Sequence, residues 1–263
     1  MRLSKKLLSL CLVSSLFLVG CSSKTPKKED SSEKVTLSIS AAASLKEAME
    51  KIEKDYEKSN PNVDLVVNFG GSGSLQKQIE QGAPCDVFIS AGEKQIKELD
   101  EKKLLEENTY KNLVKNDLVL IAPKNSDISS INDLTTDKVK KLGVGEPESV
   151  PAGKYASEVL TNLNLADKVK DKLVFAKDVK QVLAWTQSEN TQAGFVYYSD
   201  TLGVDNIKIV ETTKESTHSP IVYPVAVIKD SKVPDEAKKF EDYLFSQKGQ
   251  DILVNCGYKT IKN

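Results

Sequence analysis

Val63-Asp64-Leu65-Val66-Val67-Asn68-Phe69 runs straight into Gly70-Gly71-Ser72-Gly73-Ser74-Leu75. The first seven residues are rich in β-branched and aromatic side chains and predict a strand. Leu75 and Ile79 then fall on one face of a short helix that Gly82-Ala83-Pro84 ends. The junction between them carries no charge and no bulky group. A helix start exposes N–H groups without partners and a partial positive charge, so it suits an anion. The glycine run lacks the Gly-Lys-Ser/Thr ending of a nucleotide loop, which excludes that reading. A flexible turn is the plain alternative, and the helix that begins directly after it argues against that. Ser72 with the Gly73 and Ser74 amides is expected to face a ligand.

Three more junctions have the same character. Val35 to Ser40 alternates as a strand does, and Ala41-Ala42-Ala43-Ser44-Leu45 leads into a helix with Leu45, Ala48, Met49, Ile52 and Tyr56 at helical spacing. Ser44 by itself would be a plain helix cap. Lys141 to Gly145 is a short strand. Val150-Pro151-Ala152-Gly153-Lys154 follows it and opens a helix with Tyr155, Ala156, Val159 and Leu160. Pro151 fixes the backbone and Gly153 permits close approach, so the Ala152 N–H is a candidate donor. Leu173 to Ala176 is a strand, and Lys177-Asp178-Val179-Lys180 starts a helix with Val179, Val182, Leu183 and Thr186 on one face. Further strands are expected at 86–90, 117–123, 193–197, 206–210 and 223–228. Further helices are expected at 92–103, 234–245 and 249–254. Alternating strands and helices define an α/β fold with mainly parallel sheets. Ligands of such sheets bind beyond the carboxyl ends of the strands, where all four junctions fall.

The chain ends bound its surroundings. Met1 to Lys6 is basic, and Leu7 to Val19 is apolar but short for a membrane span. Residues 1–20 read as a secretory signal. Leu18-Val19-Gly20-Cys21 resembles a bacterial lipobox, which implies cleavage before Cys21 and lipid on its sulfur. Residues 21–34 are polar, without a large apolar side chain, and read as a flexible tether. The chain has 37 basic and 38 acidic residues, and loss of the signal removes three of the basic ones, Arg2, Lys5 and Lys6. A mildly acidic exported chain does not suit nucleic acid. Beyond the signal and Cys21, Cys85 and Cys256 remain and are able to pair outside the cell only if the fold brings them together. One histidine, His218, and two distant cysteines offer no metal-ligand spacing. His218 reads as a surface residue. No Ser-His-Asp, paired-carboxylate or metal-hydrolase pattern is visible. Phe195-Val196-Tyr197-Tyr198-Ser199-Asp200 ends a strand with two tyrosines, and alternation sends only one toward a shared cleft. Lys154 and Lys180 are expected to reach solvent.

The motifs Ala41 to Leu45, Gln78 to Pro84 with Asp86 to Ser90, Val150 to Ala156 and Tyr223 to Val227 together resemble the molybdate-binding proteins of bacterial ABC importers, across about Val35 to Lys262. The resemblance implies a two-lobed type II periplasmic-binding-protein fold with its ligand in the cleft between lobes. It implies lobe I at 35–116 plus 224–263 and lobe II at 117–223. It also implies a ligand set: the hydroxyls of Ser44, Ser72 and Tyr197, and the backbone N–H groups of Ala152 and Val179. Tyr198 stands where the family often has Gly, Cys85 replaces a common Ala, and the glycines around Ser72 differ from the Ala or Ser of relatives.

The resulting expectation is a lipid-anchored receptor on the extracytoplasmic face of the membrane. It captures molybdate or tungstate and hands it to an ABC permease, as a monomer, with no catalytic residue, no cofactor, no nucleic-acid partner and no metal site beyond the oxyanion itself. Each helix start carries about half a positive charge, so four approach the charge of a dianion. A site of donors alone also rejects oxyanions that carry a proton, since these need an acceptor. That logic disfavours phosphate and leaves molybdate, tungstate and sulfate. A receptor for sulfate or another small oxyanion is the alternative within binding proteins, and a surface-anchored hydrolase is the alternative among enzymes. An anion-sensing regulator is disfavoured by the lipobox.

Overall fold

A computed structural model describes residues 34–261 of the chain. The expected signal at 1–20, the lipidation at Cys21 and all of the tether but Lys34 lie outside the described residues. The first half contains β1 (Val35–Ala42), α1 (Lys46–Ser59), β2 (Val63–Gly70), α2 (Ser72–Glu80), β3 (Val87–Ile89), α3 (Glu93–Glu101) and β4 (Lys111–Lys115). The second half contains β5 (Leu118–Pro123), β6 (Leu142–Gly145), α4 (Pro151–Asn162), α5 (Ala166–Val169), β7 (Leu173–Ala176), α6 (Val179–Gln187), β8 (Ala193–Tyr197) and β9 (Ile207–Thr212). The chain then returns through β10 (Val222–Val227), α7 (Pro234–Phe245), α8 (Gln247–Asn255) and β11 (Lys259–Thr260).

Two open sheets result, in the orders β11-β4-β10-β3-β1-β2 and β7-β6-β8-β5-β9. The α/β reading of the sequence is borne out, and the sheets are mixed. Successive strand–helix–strand units give the parallel pairs β1–β2, β1–β3, β6–β7 and β6–β8. β5 and β10 arrive from the other sheet and run antiparallel to their neighbours β8, β9, β3 and β4. β4 carries a weak strand signal in the sequence, because two lysines flank only Leu113 and Val114 as buried apolar residues. Pro224 in β10 has no N–H to give to β4, and the register slips between Tyr223 and Pro224.

Helix faces follow the spacing read from the sequence. Ala48, Met49, Ile52 and Tyr56 of α1 are buried against the first sheet, and Val179, Val182, Leu183 and Thr186 of α6 are buried against the second. Register then fixes where the helices start. Ala42 lies opposite Gly70, and Gly145 lies opposite Ala176, so neighbouring parallel strands end level with each other. The small-residue junctions therefore come out side by side, two from each sheet.

Candidate functional site

The four junctions meet around one small cavity between the two sheets. Ser44, Ser72, Ala152, Val179 and Tyr197 all line it. Ser44 sits in the short turn between β1 and α1, and Ser72 is the first residue of α2. Ala152 follows Pro151 at the start of α4, Val179 opens α6, and Tyr197 ends β8. The cavity is small, about 10 Å³. A far larger groove of about 510 Å³ lies at the opposite end of the first sheet, beside Thr36, Ser38 and Pro84. One of its carboxylates, Asp86, already accepts from Ser38 N and Ser231 Oγ.

The donors follow from local geometry. Gly153 and Lys154 donate back to Val150 O at 2.9 and 3.2 Å. The Asp178 carboxylate caps α6 by accepting from Gln181 N at 2.8 Å. Among the described residues, no protein acceptor takes the N–H of Ala152 or Val179. These are the amides that a helix start leaves over. The Ser72 hydroxyl accepts from Ala91 N at 3.0 Å, which leaves its own proton to give. Ser44 does not cap α1; its hydroxyl meets Tyr223 OH at 2.8 Å. Tyr197 OH donates to Ala91 O at 3.4 Å. Burial drives the hydroxyls of Tyr197 and Tyr223 well above the ordinary tyrosine value, so they stay neutral donors. No lysine or arginine lines the cavity.

Two expectations need correction. The Gly73 amide does not face the cavity; it donates to Ser149 O of the opposite half at 2.8 Å. Lys180 is mostly turned away from solvent. Its ammonium lies 2.9 Å from the fully buried Asp200 carboxylate and 2.7 Å from Glu47, which belongs to α1 of the other half. Burial alone would pull the Lys180 ammonium down, but Asp200 and Glu47 hold it above the ordinary lysine value. Burial pushes the Asp200 carboxyl up, and Lys180 offsets part of that. The other Asp200 oxygen accepts from Tyr197 N at 3.2 Å, so this ion pair braces the tyrosine at the cavity.

The remaining candidates stand apart. Lys154 is exposed and pairs with Glu158 at 3.4 Å. Tyr197 is buried at the cavity while Tyr198 turns outward. His218 is half-buried, with Nδ1 2.8 Å from Ser219 O and its ring against Tyr155. Cys85 and Cys256 are free, buried thiols. Burial raises the Cys85 thiol to about 11. Among the described residues there is no cluster of metal-ligating side chains and no helix long and apolar enough to cross a membrane. Sequence reading missed Tyr223, Asn116 and Ala91, which hold the site's hydroxyls from behind.

Two α/β halves joined by two crossings, with a small cavity lined by neutral donors between them, have the architecture of solute-binding proteins. The profile of the bacterial extracellular solute-binding proteins matches residues 37–259, and the chain belongs to that family. A Bacillus subtilis protein assigned as an ABC transporter substrate-binding lipoprotein is 45% identical over 94% of this chain and 95% of its own. The molybdate-binding protein ModA of Haemophilus influenzae is 42% identical over 86% of this chain and 90% of its own. A solved Clostridium difficile structure, assigned as the substrate-binding domain of a molybdenum ABC transporter, is 68% identical over 87% of this chain and all of its own, with a TM-score of 0.69. The resemblance to molybdate-binding proteins of ABC importers is thus borne out. These proteins bind solutes for transporters, and the family is extracytoplasmic.

Proposed function

We propose that this chain captures molybdate outside the cytoplasm and delivers it to the permease of an ABC importer. Tungstate, an oxyanion of the same charge and shape, is a second cargo. The observation that carries the reading is a small cavity between two sheets, lined by hydroxyl and backbone donors and by no lysine or arginine, whose one carboxylate, Asp178, already accepts from Gln181 N. In this reading Ser44 and Ser72 donate through their hydroxyls, Tyr197 does so once its proton leaves the long 3.4 Å bond to Ala91 O, and Ala152 and Val179 donate through their amides. The molybdate-binding relatives support the choice of anion. The oxyanion is cargo; no reaction is catalysed on it, and the protein acts as a monomer without nucleic acid.

Closing is the second part of the proposal. Lobe I is residues 35–116 with 224–263, and lobe II is residues 117–223. The lobes swing about the two crossings near Asn116 and Tyr223 and shut on the anion. Fixed dipoles then replace its hydration in a site that excludes water.

Ser44→Ala, Ser72→Ala and Tyr197→Phe each remove one donor to a charged oxygen, worth roughly 1.5–3 kcal/mol. Calorimetric titration with molybdate is expected to show each variant about ten- to a hundredfold weaker. Lys154→Ala, at an exposed position, leaves affinity unchanged. Silent hydroxyl changes beside a damaging Lys154 change would contradict a site of neutral donors.

The membrane attachment is lipid on Cys21, which the lipobox and the lipoprotein assignment of the Bacillus subtilis relative support. Cys21→Ser is expected to move the protein from the membrane fraction to the soluble fraction. A variant that stays with the membrane to the wild-type extent rules lipidation out.

A further inference from the structure

The hydroxyl network behind the cavity has a direction. Asp117 N donates to Asn116 Oδ1 at 2.9 Å, which fixes the orientation of the Asn116 amide. Its Nδ2 therefore faces Ser199 Oγ at 2.8 Å and Tyr223 OH at 3.4 Å. An amide nitrogen only donates, so the Tyr223 oxygen accepts there. The Tyr223 proton is then free for Ser44 Oγ, 2.8 Å away. A serine oxygen that accepts from behind still owns one proton, and Ser44 lines the cavity. At the neighbouring junction, Ser72 has the same arrangement, with Ala91 N as its donor.

The Tyr223 ring is held firmly. Tyr197 and Tyr258 pack edge-on against it at 5.6 and 5.3 Å, and Tyr258 OH donates to Ser44 O at 2.8 Å. The serine and the tyrosine are thus fixed from two sides. Asn116 lies in the crossing from β4 to β5, and Tyr223 lies in β10 just after the return crossing. The relay is rooted where the chain passes between the halves.

We propose that Tyr223 is a positioning residue that sets anion specificity: by donating to Ser44 it occupies one of the two Ser44 lone pairs and turns the Ser44 proton toward the bound anion, so that Ser44 meets the anion as a donor and not as the acceptor that a protonated anion needs. This rests on the reading of the cavity as an oxyanion site. Without the Tyr223 hydroxyl, Ser44 is free to turn and accept, so a protonated oxyanion finds the acceptor it needs.

Tyr223→Phe keeps the ring packing and removes one oxygen. Wild type, Tyr223→Phe, Ser44→Ala and the double variant are titrated calorimetrically with molybdate, sulfate and inorganic phosphate, which is protonated at neutral pH. Tyr223→Phe is expected to bind molybdate about tenfold more weakly. Its phosphate binding holds or improves, so the molybdate-to-phosphate ratio falls by about tenfold or more. In the Ser44→Ala background the same change has less than about a twofold effect, since the relay has lost its end. An unchanged ratio, or losses that add in the double variant, would overturn the relay. Wild type that takes sulfate in place of molybdate overturns the molybdate reading alone, and the relay is then judged on the sulfate-to-phosphate ratio. Wild type that binds no oxyanion overturns both.

Discussion

Gly73→Ala is expected to weaken molybdate binding by about a hundredfold and to leave the protein expanded when ligand is present. A Cβ on Gly73 would lie 2.8 Å from both Cα and O of Ser149. Both atoms are backbone, so neither swings aside. The same contact holds the Gly73 N–H to Ser149 O bond that ties the two halves together. Overpacking of this kind costs about 3 kcal/mol at its upper range, and that energy is roughly a hundredfold in affinity. Nothing within either half needs to change, so the variant folds and melts as wild type does without ligand. Gly71→Ala meets Lys177 O at 2.6 Å and acts in the same way. Small-angle scattering with saturating molybdate checks the point: wild type compacts, and the alanine variants do not. Full compaction of Gly73→Ala with wild-type affinity would show that closure does not bring these backbones together.

Lys180→Met is expected to lower folding stability by about 3 kcal/mol. The Asp200 side chain is fully buried, and Lys180 is its cationic partner at 2.9 Å. Removing one member of a buried pair leaves the other charge without compensation, which is worse than removing both. Lys180→Met with Asp200→Asn is therefore expected to recover most of the loss, because Asn keeps the shape without the charge. Urea unfolding of the two single variants and the double variant measures this. Equal and additive losses would mean that the pair does not interact. Glu47 is more than half exposed at 55%, so its own contribution is screened and small.

Much of the site is legible in the sequence because its donors sit at strand–helix junctions. Each junction is a local signal: an apolar strand, a few small residues, then a helical period. Level register of parallel strands turns these local signals into one cluster, as Ala42 opposite Gly70 and Gly145 opposite Ala176 make plain. What supports the donors is not local. Ser44 and Tyr223 are 179 residues apart, and nothing in either neighbourhood marks the other. Lys180 looked solvent-facing because a lysine at a helix start usually is. Asp200, twenty positions on, decides otherwise from a turn whose burial periodicity does not show. Gly73 looked like part of the anion cradle for the same reason. Only the opposing half reveals Ser149 as the acceptor. The mixed sheets have a topological cause: β5 and β10 are the strands that change sheets, and a change of sheet is not written in the alternation of strand and helix.

The central claim is that neutral donors between the two halves hold one bare tetrahedral dianion. Native mass spectrometry of the purified protein tests it most directly, with molybdate, tungstate, sulfate and phosphate offered together in equal amounts. The account predicts a single bound molybdate or tungstate on each chain and no phosphate adduct. A chain that emerges carrying phosphate, or carrying none of the four anions, would contradict it.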